Sequence, residues 1–159
     1  MIILKIKWKT LLISVAVPLI VGGLSAVLTA GSMENFKLLE KPPLSPTAAV
    51  FPVVWTVLFI LMGVASYLVF ESDAPKAEKE EALQIYAIQL FFNFFWSILF
   101  FNLRLYTFSF VWLVALLILV FSTAIDFGRI EKTAGYLLIP YIIWVIFAGY
   151  LNLGIAVLN

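Results

Sequence analysis

The chain has no cysteine and no histidine among its 159 residues, and only 12% of them are charged. Without cysteine there can be no disulfide, no thiolate nucleophile and no iron–sulfur ligation. Without histidine the commonest haem ligand, the usual general base and most zinc sites are gone as well. The few charges nearly cancel, to a net +1, which leaves no electrostatic footprint for nucleic acid. What remains is 64% hydrophobic, more apolar surface than a soluble domain of this length could cover. The lipid bilayer is the partner such a composition demands.

Five apolar runs, 11–30, 46–70, 82–101, 108–125 and 134–153, are long enough to cross it. A helix rises about 1.5 Å per residue, so roughly 20 residues span a hydrocarbon core of about 30 Å. Lipid offers no hydrogen-bond partner, and the alternation of a barrel strand is missing, so the runs read as helices. The fold class is an all-α integral membrane protein, a single five-helix domain over residues 1–159. Lys5, Lys7 and Lys9 ahead of the first run have the outline of a signal peptide. The run exceeds the roughly 7–15 apolar residues of a signal core, however, and is read as a span.

Two connections are long. Residues 31–45 (GSMENFKLLEKPPLS) form a polar, proline-rich loop, and residues 71–81 (ESDAPKAEKEE) form a charged link. Glu78, Glu80 and Glu81 suit the positive end of the third helix. Lys5, Lys7, Lys9, Lys76, Lys79, Arg129 and Lys132 fall on one side, against Lys37, Lys41 and Arg104 on the other. That imbalance puts the N-terminus in the cytoplasm of a multi-pass cell-membrane protein, and the C-terminus outside.

No charge lies near the centre of a span, which disfavours proton-coupled pumps and ion channels. The third run carries Gln89, Asn93 and Ser97 on one face, with Trp96 at its border. Two readings stay open: the amides bond neighbouring helices, or Asn93 faces a ligand. The fifth run places Tyr141, Trp144, Ala148 and Asn152 along one stripe, and Pro140 frees a carbonyl one turn earlier. Trp8 and Trp112 suit the membrane interface, whereas Trp55 and Trp144 lie too deep for that role. Pro42, Pro43, Pro46 and Pro52 crowd the approach to Trp55.

The blocks KP-x-x-x-P…VFPVVWTVLFILMG, QLFFNFFWSILFF and LLIPYIIWVIFAGYLN, in that order and spacing, resemble three signature stretches of the translocator protein family. It is also called the tryptophan-rich sensory protein, or TspO/MBR, family. The resemblance to its bacterial members implies five helices enclosing a porphyrin cavity, with the 31–45 loop as a lid. Mitochondrial relatives also bind cholesterol and synthetic benzodiazepine-site ligands. Carried over, it makes Trp55, Asn93, Trp144 and Ala148 cavity-lining, with Phe36, Phe51, Phe59, Trp96 and Phe147 as further wall residues. Pro52 would sit inside the second helix and tilt Trp55 inward.

Two indoles could stack on a flat macrocycle while the amide orients it and the alanine leaves room. Lacking His and Cys for iron, the chain suits a free-base tetrapyrrole such as protoporphyrin IX, with no metal and no required cofactor. The implied function is a porphyrin-binding sensor or regulator. Trp55 and Trp144 would be the catalytic pair if light- and oxygen-dependent porphyrin breakdown occurs. A transporter of porphyrin or other apolar molecules, and a non-catalytic stress-response scaffold, are the alternatives. Resemblance also implies a homodimer, and Gly22-x-x-x-Ala26 and Ala26-x-x-x-Ala30 would permit close helix contact.

Two departures stand out. The family lid W-Y-x-x-L-x-K-P reads here Asn35-Phe36-Lys37-Leu38-Leu39-Glu40-Lys41-Pro42, losing an indole and a phenolic hydroxyl. The sterol pattern also fails, because no basic residue follows Tyr150.

Overall fold

A computed structural model gives the structure of residues 5–159, and every regular element among them is helical. Helix α1 (Trp8–Thr29) continues through a 3-10 turn, Ala30–Ser32, into a short α2 (Met33–Lys37). Next come α3 (Val50–Phe70) and α4 (Lys76–Ser97), the latter prolonged by a widened π turn over Ile98–Asn102. In that turn the Leu103 N–H reaches back five residues to the Ile98 carbonyl, at 3.0 Å. The last elements are α5 (Tyr106–Ile130), α6 (Lys132–Leu137) and α7 (Ile139–Leu158). Together they make five rods long and apolar enough to cross a membrane.

The rods outrun the apolar stretches, because hydropathy marks where lipid ends and a helix continues into water. α4 starts at Lys76 instead of residue 82, with Pro75 before it and Glu78 in its first turn. The 31–45 segment is not all loop. Nearly half of it, residues 31–37, is helical, with a Glu34–Lys37 ion pair of 2.9 Å across one turn. The open strap runs over residues 38–49, and the second membrane helix begins at Val50, not residue 46. Proline disfavours helical backbone in the residue before it, and ahead of α3 a turn ties the Val50 N–H to the Thr47 carbonyl at 3.0 Å.

That later start corrects the reading of Pro52. It is the third residue of α3, where the backbone N–H has no intrahelical partner anyway. Trp55 therefore faces inward through the phase of a regular helix and owes nothing to a kink. Pro140 does interrupt its rod: α6 and α7 part at Leu138, whose N–H falls back on the Gly135 carbonyl at 3.2 Å.

The rods close into a ring. α1 packs on α3, α3 on α6, α7 on α5, α5 on α4, and α4 returns to α1. Two seams are backbone to backbone. A Cβ at Gly63 would stand 2.5 Å from Val15 Cα, and one at Gly135 would stand 2.7 Å from Gly128 Cα. Met62, Leu116, Val120 and Phe127 are wholly buried between the rods. Five crossings put the start of α1, the 71–75 link and the α5–α6 turn at one end, and the strap and the α4–α5 turn at the other. At the first end Lys7 pairs with Glu71 at 2.6 Å, and its N–H donates to the Tyr67 hydroxyl at 3.0 Å. The hydrogen bond and charge of Glu71 hold the Lys7 ammonium above the ordinary lysine range.

The strap is fastened to the far half of α7. Pro42 sits against Gly154, the Tyr150 hydroxyl donates to the Pro43 carbonyl at 2.7 Å, and Asn159 pairs with both backbone groups of Glu40. Leu44, at the exposed crest, takes a left-handed φ of 70° that a β-carbon makes costly.

Candidate functional site

At the strap end of the ring, α1, α3, α4 and α7 do not meet at the axis. They leave a cavity of about 360 Å³ roofed by α2 and the strap, within the usual range for a small-molecule site. α1 makes room for it with small side chains: Gly22, Ala26 and Ala30 all lie on its wall. The spacing that suggested contact with another helix therefore serves the interior of this chain, where Gly22 lies against the Phe59 ring.

Trp55 and Trp144 meet at the cavity from α3 and α7. Their ring centroids are 6.4 Å apart and their planes stand at 88°, so they form a corner instead of parallel jaws. Phe59 stacks on the Trp55 side at 5.6 Å, and Phe51 meets Trp144 edge-on at 5.8 Å. Phe36 drops from α2 into the roof and touches Phe51, Phe100 and Phe101, at 6.4, 6.1 and 5.3 Å. Ala148, one turn beyond Trp144, is buried on the same wall.

Asn93 bonds a neighbouring helix and also lies on the cavity wall. Its Nδ2 donates to the Tyr141 hydroxyl at 2.7 Å, and that hydroxyl donates to Gln89 Oε1, also at 2.7 Å. The same amide lines the cavity. Trp96 is likewise shared: its ring borders the cavity and stacks on Phe100 at 5.3 Å, while its N–H donates to Asn152 Oδ1 at 3.0 Å. Trp144 differs. Among the described residues its indole N–H is buried without an acceptor, which is costly unless something else accepts from it.

Eight of the nine residues singled out in the sequence (Trp55, Asn93, Trp144, Ala148, Phe36, Phe51, Phe59 and Trp96) lie on this one wall. Phe147 does not. One residue before Ala148 places it about 100° around α7, so it packs behind Trp144 at 5.6 Å and beside Tyr150. Phe100, Phe101 and Lys41 belong to the wall and were missed as site residues. Both phenylalanines closed the block QLFFNFFWSILFF and Lys41 opened KP-x-x-x-P, but only the π turn and the folded strap aim them inward. Trp112 is more than an interfacial anchor: it stacks on Phe92 at 4.2 Å and donates to the Phe92 carbonyl at 2.8 Å, clamping α5 to α4. Among the described residues no three metal-ligating side chains come together.

A model of the TspO/MBR family matches residues 14–158. The chain belongs to the TspO/MBR family. Among its relatives, the tryptophan-rich protein TspO of Chlorobaculum tepidum is 40% identical over 78% of each chain. The tryptophan-rich sensory protein of Cereibacter sphaeroides is 33% identical over 75% of this chain and 73% of its own. The translocator protein of Bos taurus is 34% identical over 85% of this chain and 81% of its own. This TspO/MBR chain is accordingly a multi-pass membrane protein, and its five apolar rods are the family's membrane bundle.

Proposed function

We propose that this TspO/MBR protein is a membrane sensor or regulator that binds a free-base tetrapyrrole, such as protoporphyrin IX, in the cavity under the strap. The observation that carries the reading is the perpendicular corner of Trp55 and Trp144, with Ala148 and Asn93 beside it. A flat ring lying along one indole meets the other edge-on, and aromatic pairs of both kinds contribute about 0.5–1.5 kcal/mol beyond their buried area. The sensory name of the Cereibacter sphaeroides relative fits a regulatory role.

A porphyrin held there would carry its own photochemistry. In light and oxygen the macrocycle generates the oxidant, and the indoles of Trp55 and Trp144, with Trp96 as the third on the wall, are the most easily oxidised groups against it. The protein's part is to hold the ring, shed water and present Trp55 and Trp144. Seven basic residues at the N-terminal end against three at the strap end support an N-terminus in the cytoplasm and a strap outside. The working unit on this reading is a homodimer, as resemblance implies.

The test is a titration of the purified protein in lipid nanodiscs with protoporphyrin IX, dark and then illuminated. Saturable quenching of tryptophan fluorescence in the dark supports the reading. A product chromophore in the light adds breakdown to binding, and absence of saturable quenching overturns the proposal.

A further inference from the structure

Almost the whole cavity wall is apolar or neutral, and the exception lies on the strap. Among the described residues Lys41 is the one charged side chain that lines it. Among the described residues no carboxylate lies within 4.0 Å of its ammonium. The other lysine of the lid, Lys37, is matched by Glu34 at 2.9 Å. Glu40, next in sequence, is exposed and outside the wall, and its backbone is tied to Asn159.

The ammonium is nonetheless held in place. It donates to the carbonyls of Phe36 at 3.1 Å, Leu39 at 3.3 Å and, at the long limit of 3.5 Å, Lys37, and stands 4.8 Å over the Phe36 ring. These neutral groups replace part of its water shell without cancelling its charge. Phe36 leads through Phe51 to Trp144, so the cation caps one end of a continuous aromatic wall. A ligand carboxylate leaving water for this depth needs a counter-charge, whereas its ester does not. A lysine supplies that charge without demanding one approach angle.

We propose that Lys41 is the specificity-determining residue of the cavity, selecting ligands with a flat apolar body and a carboxylate on one edge. That edge lies under the strap against the ammonium, and the apolar edge points down to the tryptophan corner. The inference rests on the tetrapyrrole reading above and adds to it the ligand's orientation and the reason for its choice.

The experiment compares protoporphyrin IX with its dimethyl ester, which has the same ring and no carboxylate. Each is titrated into nanodisc-embedded protein, with empty nanodiscs subtracted. The wild type should bind the acid about tenfold tighter than the diester, the scale of one charge-assisted hydrogen bond. Lys41→Met should abolish that preference and leave diester affinity within about twofold, while Lys41→Arg should keep it, since the charge is retained. The diester also reports whether the variant still folds around a cavity. Equal wild-type affinities would overturn the proposal. So would a Lys41→Met protein that loses acid and diester by the same factor, since Lys41 would then only brace the strap. If neither ligand binds the wild type, the tetrapyrrole reading falls and takes this inference with it.

Discussion

The Trp55 and Trp144 rings stand at right angles with their centroids 6.4 Å apart, one from the second membrane rod and one from the last. Phenylalanine at either position keeps an aromatic face, so porphyrin affinity should fall by only about 1 kcal/mol. Light-dependent breakdown should collapse much further, because benzene rings are far harder to oxidise than indoles. The Trp55→Phe, Trp144→Phe protein should bind and make no product. Product at the normal rate would leave the tryptophans a shaping role only.

Tyr141 is the middle of a buried three-residue relay from Asn93 to Gln89. Tyr141→Phe removes both bonds and strands two amides, which should cost about 1–2 kcal/mol of stability. Because the Gln89 carbonyl has already lost its donor, adding Gln89→Leu should cost less than it does in the wild type. Denaturation of the four proteins in mixed micelles reads the cycle, and strict additivity would mean the relay is not a unit.

Ala148 is buried on the cavity wall one turn from Trp144. Ala148→Thr adds a methyl and a hydroxyl to that space, and bound ligands should weaken by about 1–3 kcal/mol through clash and repacking. The melting temperature of the empty protein should move much less. Unchanged affinity for every porphyrin tried would take Ala148 out of the site.

Gly154 holds the strap close. A Cβ there would stand 2.5 Å from Pro42 Cγ, and a proline ring cannot swing aside. Gly154→Ala should lift the strap and speed proteolysis within residues 38–49. Gly23→Ala, where a Cβ meets nothing within 4 Å, should leave the strap alone and favour its helix by up to about 1 kcal/mol. Equal cleavage of both variants would show that the contact does not hold the strap.

The chain brings no native cysteine to confuse a labelling experiment. With Asp73→Cys in the α3–α4 link and Leu38→Cys on the strap, an impermeant maleimide added to intact cells should modify only the second. The opposite pattern would invert the orientation argued from the basic residues.

The sequence showed the membrane rods plainly because lipid imposes one rule, a run of apolar residues long enough to cross. The ends stayed blurred where that rule lapses. Lys76–Glu81 is helical in water, and Met33–Lys37 is helical although it looks like a loop. The site was legible where a residue's own helix phase aims it, as at Trp55, Asn93 and Ala148. It was illegible where tertiary structure does the aiming. Lys41 reaches the wall only because Pro42 and Pro43 bind α7, and Phe147 misses it by one step around its helix.

The π turn at Ile98–Asn102 accommodates one residue more than an α-helical turn without breaking the rod. Side chains beyond such an insertion arrive roughly 100° out of step with those before it. Phe100 and Phe101 lie within the turn and both contact the Phe36 ring. Residue count in this short segment acts as a phase setting for the cavity roof. A relative with the same aromatic letters but one position fewer here would hold the same ingredients and build a different ceiling.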